Sequence, residues 1–81
     1  MFYVYALYNS DNGKIYIGQT GDLDKRLVGH NKKQGNHFTS KLDGEWTLIY
    51  KEALNSRKEA IIRERELKSF RGREFIKKYI P

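Results

Sequence analysis

The chain has 81 residues, no cysteine and a formal net charge of +6 at pH 7. A chain of this length forms one small domain, in which most apolar residues are needed for the core. Without cysteine it has no disulfide, no thiolate metal site and no cysteine nucleophile. No apolar run reaches transmembrane length and no signal-peptide pattern opens the sequence. We therefore expect a cytoplasmic protein that does not associate with membranes.

The positive charge is concentrated in the C-terminal part of the chain. Up to Tyr50, six basic side chains face five acidic ones, a balance of +1, whereas Lys51 to Pro81 carries ten against five, a balance of +5. With a pI near 9.7, this distribution predicts a polyanionic partner, and nucleic acid is the expected one. The alternative is that the lysines only solvate the exposed faces of helices.

The first two predicted strands form a hairpin. Phe2 to Tyr8 and Lys14 to Gln19 are short apolar runs, and the turn formers between them end in Asn12-Gly13. A turn of two or of four residues places Tyr5 and Tyr16 on the same face of the sheet, because side chains alternate along a strand. Both strands carry apolar residues on both faces, so we expect one covered face and one functional face.

A helix is predicted from Leu23 to about Lys33. Asp22 is suited to cap its first turn, and Asp24 complements the helix dipole. Leu23, Leu27 and His30 fall on one stripe of this helix, with Arg26 beside them.

A polar loop is predicted from Gln34 to Glu45, either an ordinary surface loop or one that contacts a substrate through residues such as Lys41. Trp46 to Lys51 then alternates in the manner of a third strand, with Trp46, Leu48 and Tyr50 on one face.

The second helix begins at a capping box. The Ser56 hydroxyl is expected to accept from the amide of Glu59, whose carboxylate reaches back to the cap amide. We expect the helix to continue to about Ser69 or Phe70. On it, Glu64 lies in the apolar stripe that also holds Ala60 and Leu67. A carboxylate in such a position requires compensation by an arginine, by hydrogen bonds or by a metal ion.

A short terminal helix from Glu74 to Ile80 is expected to cover the core with Phe75 and Ile76, and its lysines Lys77 and Lys78 face water. The predicted order is therefore ββαβα with a final short helix. The fold class is α+β, a small three-stranded antiparallel sheet flanked by helices.

Together these residues resemble the GIY-YIG nuclease domain, particularly its small single-domain bacterial members. Tyr5 matches the tyrosine that ends the family's first motif, with Tyr3 in place of the motif's glycine. The second motif is intact as Tyr16-Ile17-Gly18. The stretch from Gly18 to Leu27 is similar to the family's approach to its arginine-bearing helix, and Ala60 to Glu64 to the helix that carries its metal-binding glutamate. The resemblance covers nearly the whole chain.

The resemblance implies a metal-dependent endonuclease that hydrolyses phosphodiester bonds in DNA. Glu64 would bind one Mg²⁺ or Mn²⁺, since magnesium tolerates a single protein carboxylate when water and phosphate fill its other positions. Arg26 would bind a phosphate oxygen. The attacking water would be bound, oriented or deprotonated by one or more of Tyr5, Tyr16 and His30. The expected substrate-binding residues are Gly18, Thr20 and Lys41.

Other functions remain open at this stage. The alternative is a nucleic-acid-binding module on the same scaffold with weak or no activity. Its supporting feature is that several family members carry an asparagine after the glutamate helix, whereas residues 72–81 contain none. A basic protein-interaction domain is a third alternative. One active site cuts one strand, so double-strand cleavage requires two events or a dimer, and the chain itself is expected to be a monomer or a weak dimer.

Overall fold

The computed structural model describes residues 1–31 and 45–81, and the side chains of residues 29–31 fall outside that description. The fold is α+β as predicted, in the order ββαβαα. Its elements are β1 Phe2–Asn9, β2 Lys14–Thr20, α1 Leu23–Asn31, β3 Thr47–Leu54, α2 Arg57–Lys68 and α3 Phe70–Lys77. The predicted end of α1 near Lys33 lies outside the described residues, as does the predicted loop up to residue 44.

The three strands form one antiparallel sheet in the order β2-β1-β3. In the hairpin, Asn9 pairs with Lys14, which confirms the four-residue loop among the two predicted turns. Gly13 has a φ of 70°, a left-handed conformation that glycine adopts without strain. In this register Tyr5 pairs with Gly18 and Leu7 with Tyr16. The two tyrosines therefore share a face, as predicted.

Helices pack on both faces of the sheet. On one face, Val4, Ala6 and Ile17 pack against residues of α2 and α3, namely Ala60, Leu67 and Ile76. On the other face, Tyr5 and Leu7 pack against Leu23 of α1 and against Trp46, which precedes β3. The expectation of a covered face opposite a functional face is therefore only half right, because the tyrosine face is also packed and Tyr5 is 0% exposed.

A register shift between β1 and β3 changes the predicted third strand. Ala6 pairs with Tyr50 and Leu7 with Leu48, so Ile49 is an extra residue on β3. Such a bulge breaks the alternation of side chains. Leu48 therefore packs with the Tyr5 cluster, whereas Tyr50 packs with the α2 and α3 cluster. The sequence pattern had placed both on one face, and it ended the strand at Lys51 rather than at Leu54.

Ser69 separates the last two helices. It is the C-cap of α2 and also the N-cap of α3, where its hydroxyl accepts a hydrogen bond from the Gly72 amide at 3.2 Å. The last helix therefore begins at Phe70, four residues before the predicted start at Glu74, and the Phe70 side chain is exposed. The predicted exposure of Lys77 and Lys78 is confirmed.

Both helix caps predicted from the sequence are present. The Asp22 carboxylate accepts a hydrogen bond from the Lys25 amide at 3.1 Å, and the Ser56 hydroxyl accepts one from the Glu59 amide at 3.2 Å. The Glu59 carboxylate accepts from the amide of Asn55 at 3.1 Å, one residue before the predicted cap amide. Within residues 1–31 and 45–81, no helix is long and apolar enough to cross a membrane.

Candidate active site

Tyr5 is the centre of the candidate site, and its ring lies over Gly18 of the neighbouring strand. A Cβ atom built on Gly18 would come within 2.8 Å of the Tyr5 hydroxyl and 2.9 Å of the Tyr16 ring. The two tyrosine rings are tilted against each other with their centroids 6.2 Å apart. The glycine of Tyr16-Ile17-Gly18 therefore leaves the space in which the two phenols meet.

Burial is the largest cause that raises the pKa of Tyr5, and the neighbouring Tyr16 raises it further. The positive charge of Arg26 acts in the opposite direction, and the negative charge of Glu64 makes a smaller contribution that raises the pKa. A side-chain hydrogen bond with Tyr16 also raises it. Three of the other four predicted catalytic residues thus lie within electrostatic reach of Tyr5.

Arg26 reaches this site from the first turn of α1. Its amide donates to the Asp22 carbonyl at 3.1 Å, and the next residue, Leu27, packs against the Tyr5 cluster. The Asp22 cap and the apolar contact of Leu27 together fix the start of α1 on the tyrosine face of the sheet. His30 lies within α1, one turn after Arg26, but its side chain is outside the described part of the chain.

Glu64 reaches the site from α2, which packs against β1 and β2. Its side chain is 22% exposed, although its helix neighbours Ala60 and Leu67 are buried. The Glu64 carboxylate accepts a hydrogen bond from the Lys68 ammonium at 2.7 Å. The sequence analysis expected the charge of this carboxylate to be compensated, and a lysine one turn along the same helix contributes to that compensation. The analysis of the sequence missed Lys68, although a Glu–Lys spacing of four residues on a helix signals such a pair.

The predicted substrate-binding residues have different surroundings. Gly18 lies under the two phenols. The Thr20 hydroxyl accepts from the Asp22 amide at 3.1 Å and donates to the Asp22 carbonyl at 3.3 Å, so it shapes the turn that leads into α1. Lys41 lies outside the described residues.

The donor set at Glu64 fits a magnesium or manganese ion that is bound mainly through water and substrate. Among the described residues, no three His, Cys, Asp or Glu side chains lie close enough together to hold a metal. A single carboxylate would suit Mg²⁺, which keeps several waters and takes phosphate oxygens as ligands.

Comparison with known proteins gives a consistent result. Residues 1–79 match the model of the GIY-YIG catalytic domain. A UPF0213 protein of Staphylococcus saprophyticus is 35% identical over 75 residues, which are 93% of this chain and 89% of that protein. A UPF0213 protein of Staphylococcus aureus is 35% identical over 68 residues, 84% of this chain and 80% of its own.

A solved structure agrees as well. The solution NMR structure of a UPF0213 protein from Bacillus halodurans is similar with a TM-score of 0.54 and 35% identity, over 94% of this chain and 82% of that one. The GIY-YIG family implies a nuclease-like scaffold and a nucleic acid substrate. On the match over nearly its whole length, the chain belongs to the GIY-YIG catalytic domain family.

Proposed function

We propose that this protein is a metal-dependent endonuclease that hydrolyses phosphodiester bonds in DNA and nicks one strand per active site. The observation that carries the proposal is the convergence at Tyr5 of three side chains from three different elements: Tyr16 from β2, Arg26 from α1 and Glu64 from α2. A phenol that interacts electrostatically with a guanidinium and with a carboxylate supports this reaction, because phosphodiester hydrolysis needs an activated water and neutralisation of developing charge.

Arg26 is assigned to the phosphate. Its guanidinium is always charged and offers two parallel donors, which suits the non-bridging oxygens of a phosphodiester. Its charge already acts on the buried phenol of Tyr5, so a phosphate bound by the guanidinium would lie near the tyrosines. In the transition state the phosphate gains negative charge, and a fixed cation then stabilises it more than in the ground state.

The two tyrosines are assigned different roles. Tyr5 is fully buried and its pKa is raised, chiefly by that burial, so it remains protonated at neutral pH and cannot act as a base. Tyr16 is half-buried and lines a surface cleft, so it is the phenol that a water molecule can contact. Tyr5 is therefore assigned as a positioning residue, because its side chain hydrogen-bonds with Tyr16 and its ring packs against the Tyr16 ring. His30 is assigned to proton transfer with Tyr16 on the basis of its place in α1.

Glu64 is assigned to the metal ion. When bound, Mg²⁺ or Mn²⁺ supplies a Lewis acid that lowers the pKa of water and neutralises phosphate charge. The carboxylate is held at the edge of the site by the packing of Ala60 and Leu67, and its ion pair with Lys68 is exposed enough to exchange.

A nucleic-acid-binding module without activity is the second candidate. The observation that favours it is the Lys68 ammonium at 2.7 Å from the Glu64 carboxylate, since a lysine in this place satisfies the acid without any metal. Such a module binds nucleic acid in a salt-dependent manner and has no turnover.

A cleavage assay separates the two functions. Wild type, Glu64→Ala, Arg26→Ala and Tyr16→Phe are incubated with labelled linear duplex, branched and single-stranded DNA in the presence of Mg²⁺, Mn²⁺ or EDTA. An endonuclease gives metal-dependent products with the wild type and none with Glu64→Ala. Cleavage by Glu64→Ala at the wild-type rate contradicts the assignment of that carboxylate. Binding of every substrate without cleavage by the wild type establishes the second candidate.

A further inference from the structure

A cleft with a basic lining lies directly beside the candidate active site. Strand β2 forms one wall, and the end of α2 together with α3 forms the other. Tyr16 is part of the lining, with the four basic residues Lys14, Lys68, Arg73 and Lys77. Neither an aspartate nor a glutamate is among the described residues that line it. Its charge therefore favours a polyanion.

The basic groups of the cleft are accessible to a ligand. Lys77 pairs with Glu74 at 3.3 Å, but both side chains are at least half exposed, and an exposed pair of this kind contributes little. Arg73 donates from Nε to the Lys68 carbonyl at 3.1 Å. This bond uses one of the five guanidinium donors and fixes the orientation of the others.

The cleft is continuous with the residues assigned to catalysis. Tyr16 lines it and also contacts Tyr5, while Lys68 lines it and also pairs with Glu64. A chain of phosphates that lies in the cleft would therefore pass from Arg73 and Lys77 toward the phenol and the carboxylate. The close packing of α3 against the end of α2 sets this geometry. The two helices are so close at Gly72 that a Cβ atom there would lie 2.4 Å from the Leu67 Cα atom.

We propose that this cleft binds the phosphodiester backbone of the nucleic acid on one side of the bond to be cut. The inference rests on the proposed function, because only a nuclease has a bond to cut. Binding of the backbone in the cleft is nevertheless independent of catalysis. Arg73 and Lys77 contact phosphates, and Lys68 connects this tract with Glu64. The ligand is recognised through its backbone, so the cleft does not read base sequence.

The test compares two double variants with the same net charge. Arg73→Ala/Lys77→Ala removes two charges from the cleft, whereas Lys58→Ala/Lys78→Ala removes two exposed charges that do not line it. Binding to fluorescein-labelled single-stranded DNA, duplex DNA and single-stranded RNA is measured in EDTA over a range of salt concentrations. Thermal unfolding confirms that both variants are folded.

The cleft variant is expected to bind roughly fifty-fold more weakly than wild type at 0.1 M salt, with a log-log salt slope smaller by about 1.4 to 1.8. The control variant should change less. Equal losses in the two variants, or no binding of any probe by the wild type, overturn the proposal. The three probes show whether the backbone bound is that of DNA or RNA.

Failure of the proposed function has a different signature. If the protein binds through the cleft but never cleaves with Mg²⁺ or Mn²⁺, the cleft proposal stands and the nuclease assignment fails. If the protein cleaves normally after loss of Arg73 and Lys77 and its affinity in EDTA is unchanged, the nuclease assignment stands and the cleft proposal fails. The binding and cleavage measurements together therefore assign each failure to one proposal.

Discussion

The two edges of the sheet carry similar residue types in opposite arrangements. At the β3 edge, the Glu52 carboxylate accepts from the Tyr50 hydroxyl at 2.6 Å and from the Arg63 Nε at 3.1 Å, and Arg63 also reaches Glu66 at 3.5 Å. At the β2 edge, two phenols meet over Gly18, and the cleft beside them is lined by four basic residues. One edge is neutralised, and the other has an excess of positive charge.

The aromatic residues show the same difference. Tyr50, Phe75 and Tyr79 pack together with centroids 5.1 to 5.5 Å apart, a structural cluster that ties β3 to the C-terminal helix. Tyr5 and Tyr16 instead adjoin a guanidinium and a carboxylate from two helices. A tyrosine pair alone is thus no sign of a site. The charged groups that meet it, and whether those charges are neutralised, distinguish the two edges.

The largest expected effect is a loss of cleavage activity, which should occur for one of two glutamates on α2 and not for the other. Glu64→Gln keeps the shape of the side chain but removes the charge that would bind the metal, so we expect at least a thousandfold loss of cleavage, about 4 kcal/mol of transition-state stabilisation. Glu66→Gln, which changes a partner of Arg63 near the other edge, should leave cleavage within about twofold of wild type. Cleavage rates with Mg²⁺ test both. Equal losses would show that the two edges do not differ in function.

Gly72→Ala should give the largest loss of stability, because α3 supports both edges. Its new Cβ would lie 2.2 Å from the Glu66 carbonyl oxygen, which forces the two helices apart. Overpacking of backbone against backbone costs about 3 kcal/mol. Gly13→Ala is the control, since a Cβ there meets nothing within 4 Å and only the positive φ opposes it, at about 1 kcal/mol. Urea unfolding measures both, and equal losses would contradict the close packing of α3.

Alkaline pH is expected to lower stability through two phenols, the buried Tyr5 beside the β2 edge and the partly buried Tyr50 at the β3 edge. Burial raises the pKa of Tyr5 and of Tyr50 above the ordinary value of 10.0, and a hydrogen bond to Glu52 also raises that of Tyr50. The folded state thus holds these protons more tightly than the unfolded state. The resulting stability is complete below pH 10 and is lost as the pH rises through the raised pKa, by at most about 1.4 kcal/mol per pH unit for each phenol.

The variants Tyr5→Phe and Tyr50→Phe show how much of that pH dependence each phenol causes. The free energy of unfolding is measured between pH 8 and 11.5. Tyr5→Phe should flatten the alkaline decline more than Tyr50→Phe, because Tyr5 is fully buried and has the larger rise in pKa. A decline that is unchanged in both variants would show that other groups cause it.

Much of the fold follows from local sequence signals. The hairpin loop ending in Asn12-Gly13, the Asp22 cap and the Ser56 cap all act over a few residues, so their patterns are visible in the sequence. One error arises where distant parts meet. The bulge at Ile49 depends on the pairing of β3 with β1 and has no signal within its own segment. The early start of α3 does have a local signal, the cap residue Ser69, which the analysis of the sequence missed.

The site was predicted in part for the same reason. Periodicity placed Tyr5 and Tyr16 on one face and Glu64 beside Ala60 and Leu67, and the structure agrees with both placements. Only the fold shows that Tyr5 is buried and Tyr16 accessible, which separates their proposed roles. The opposition of Lys14 to Arg73 and Lys77 across a cleft joins residues about sixty positions apart, and charge counts along the chain cannot reveal it.

The smallest expected effect concerns Arg63 and completes the comparison of the edges. Arg63→Met retains the aliphatic packing but leaves the Glu52 carboxylate, which is 30% exposed, without its guanidinium partner, so we expect a loss of about 1 kcal/mol in the free energy of unfolding. The affinity for DNA and its salt slope should stay within error of wild type, because the charge of Arg63 is already neutralised by two carboxylates. Arg73→Met should have the opposite effects. Its free energy of unfolding should be nearly unchanged, and the log-log salt slope of its DNA binding should be smaller by about 0.7 to 0.9. Urea unfolding and DNA titration of this pair test the comparison directly, and a weaker salt slope in Arg63→Met would mean that nucleic acid also binds at the β3 edge.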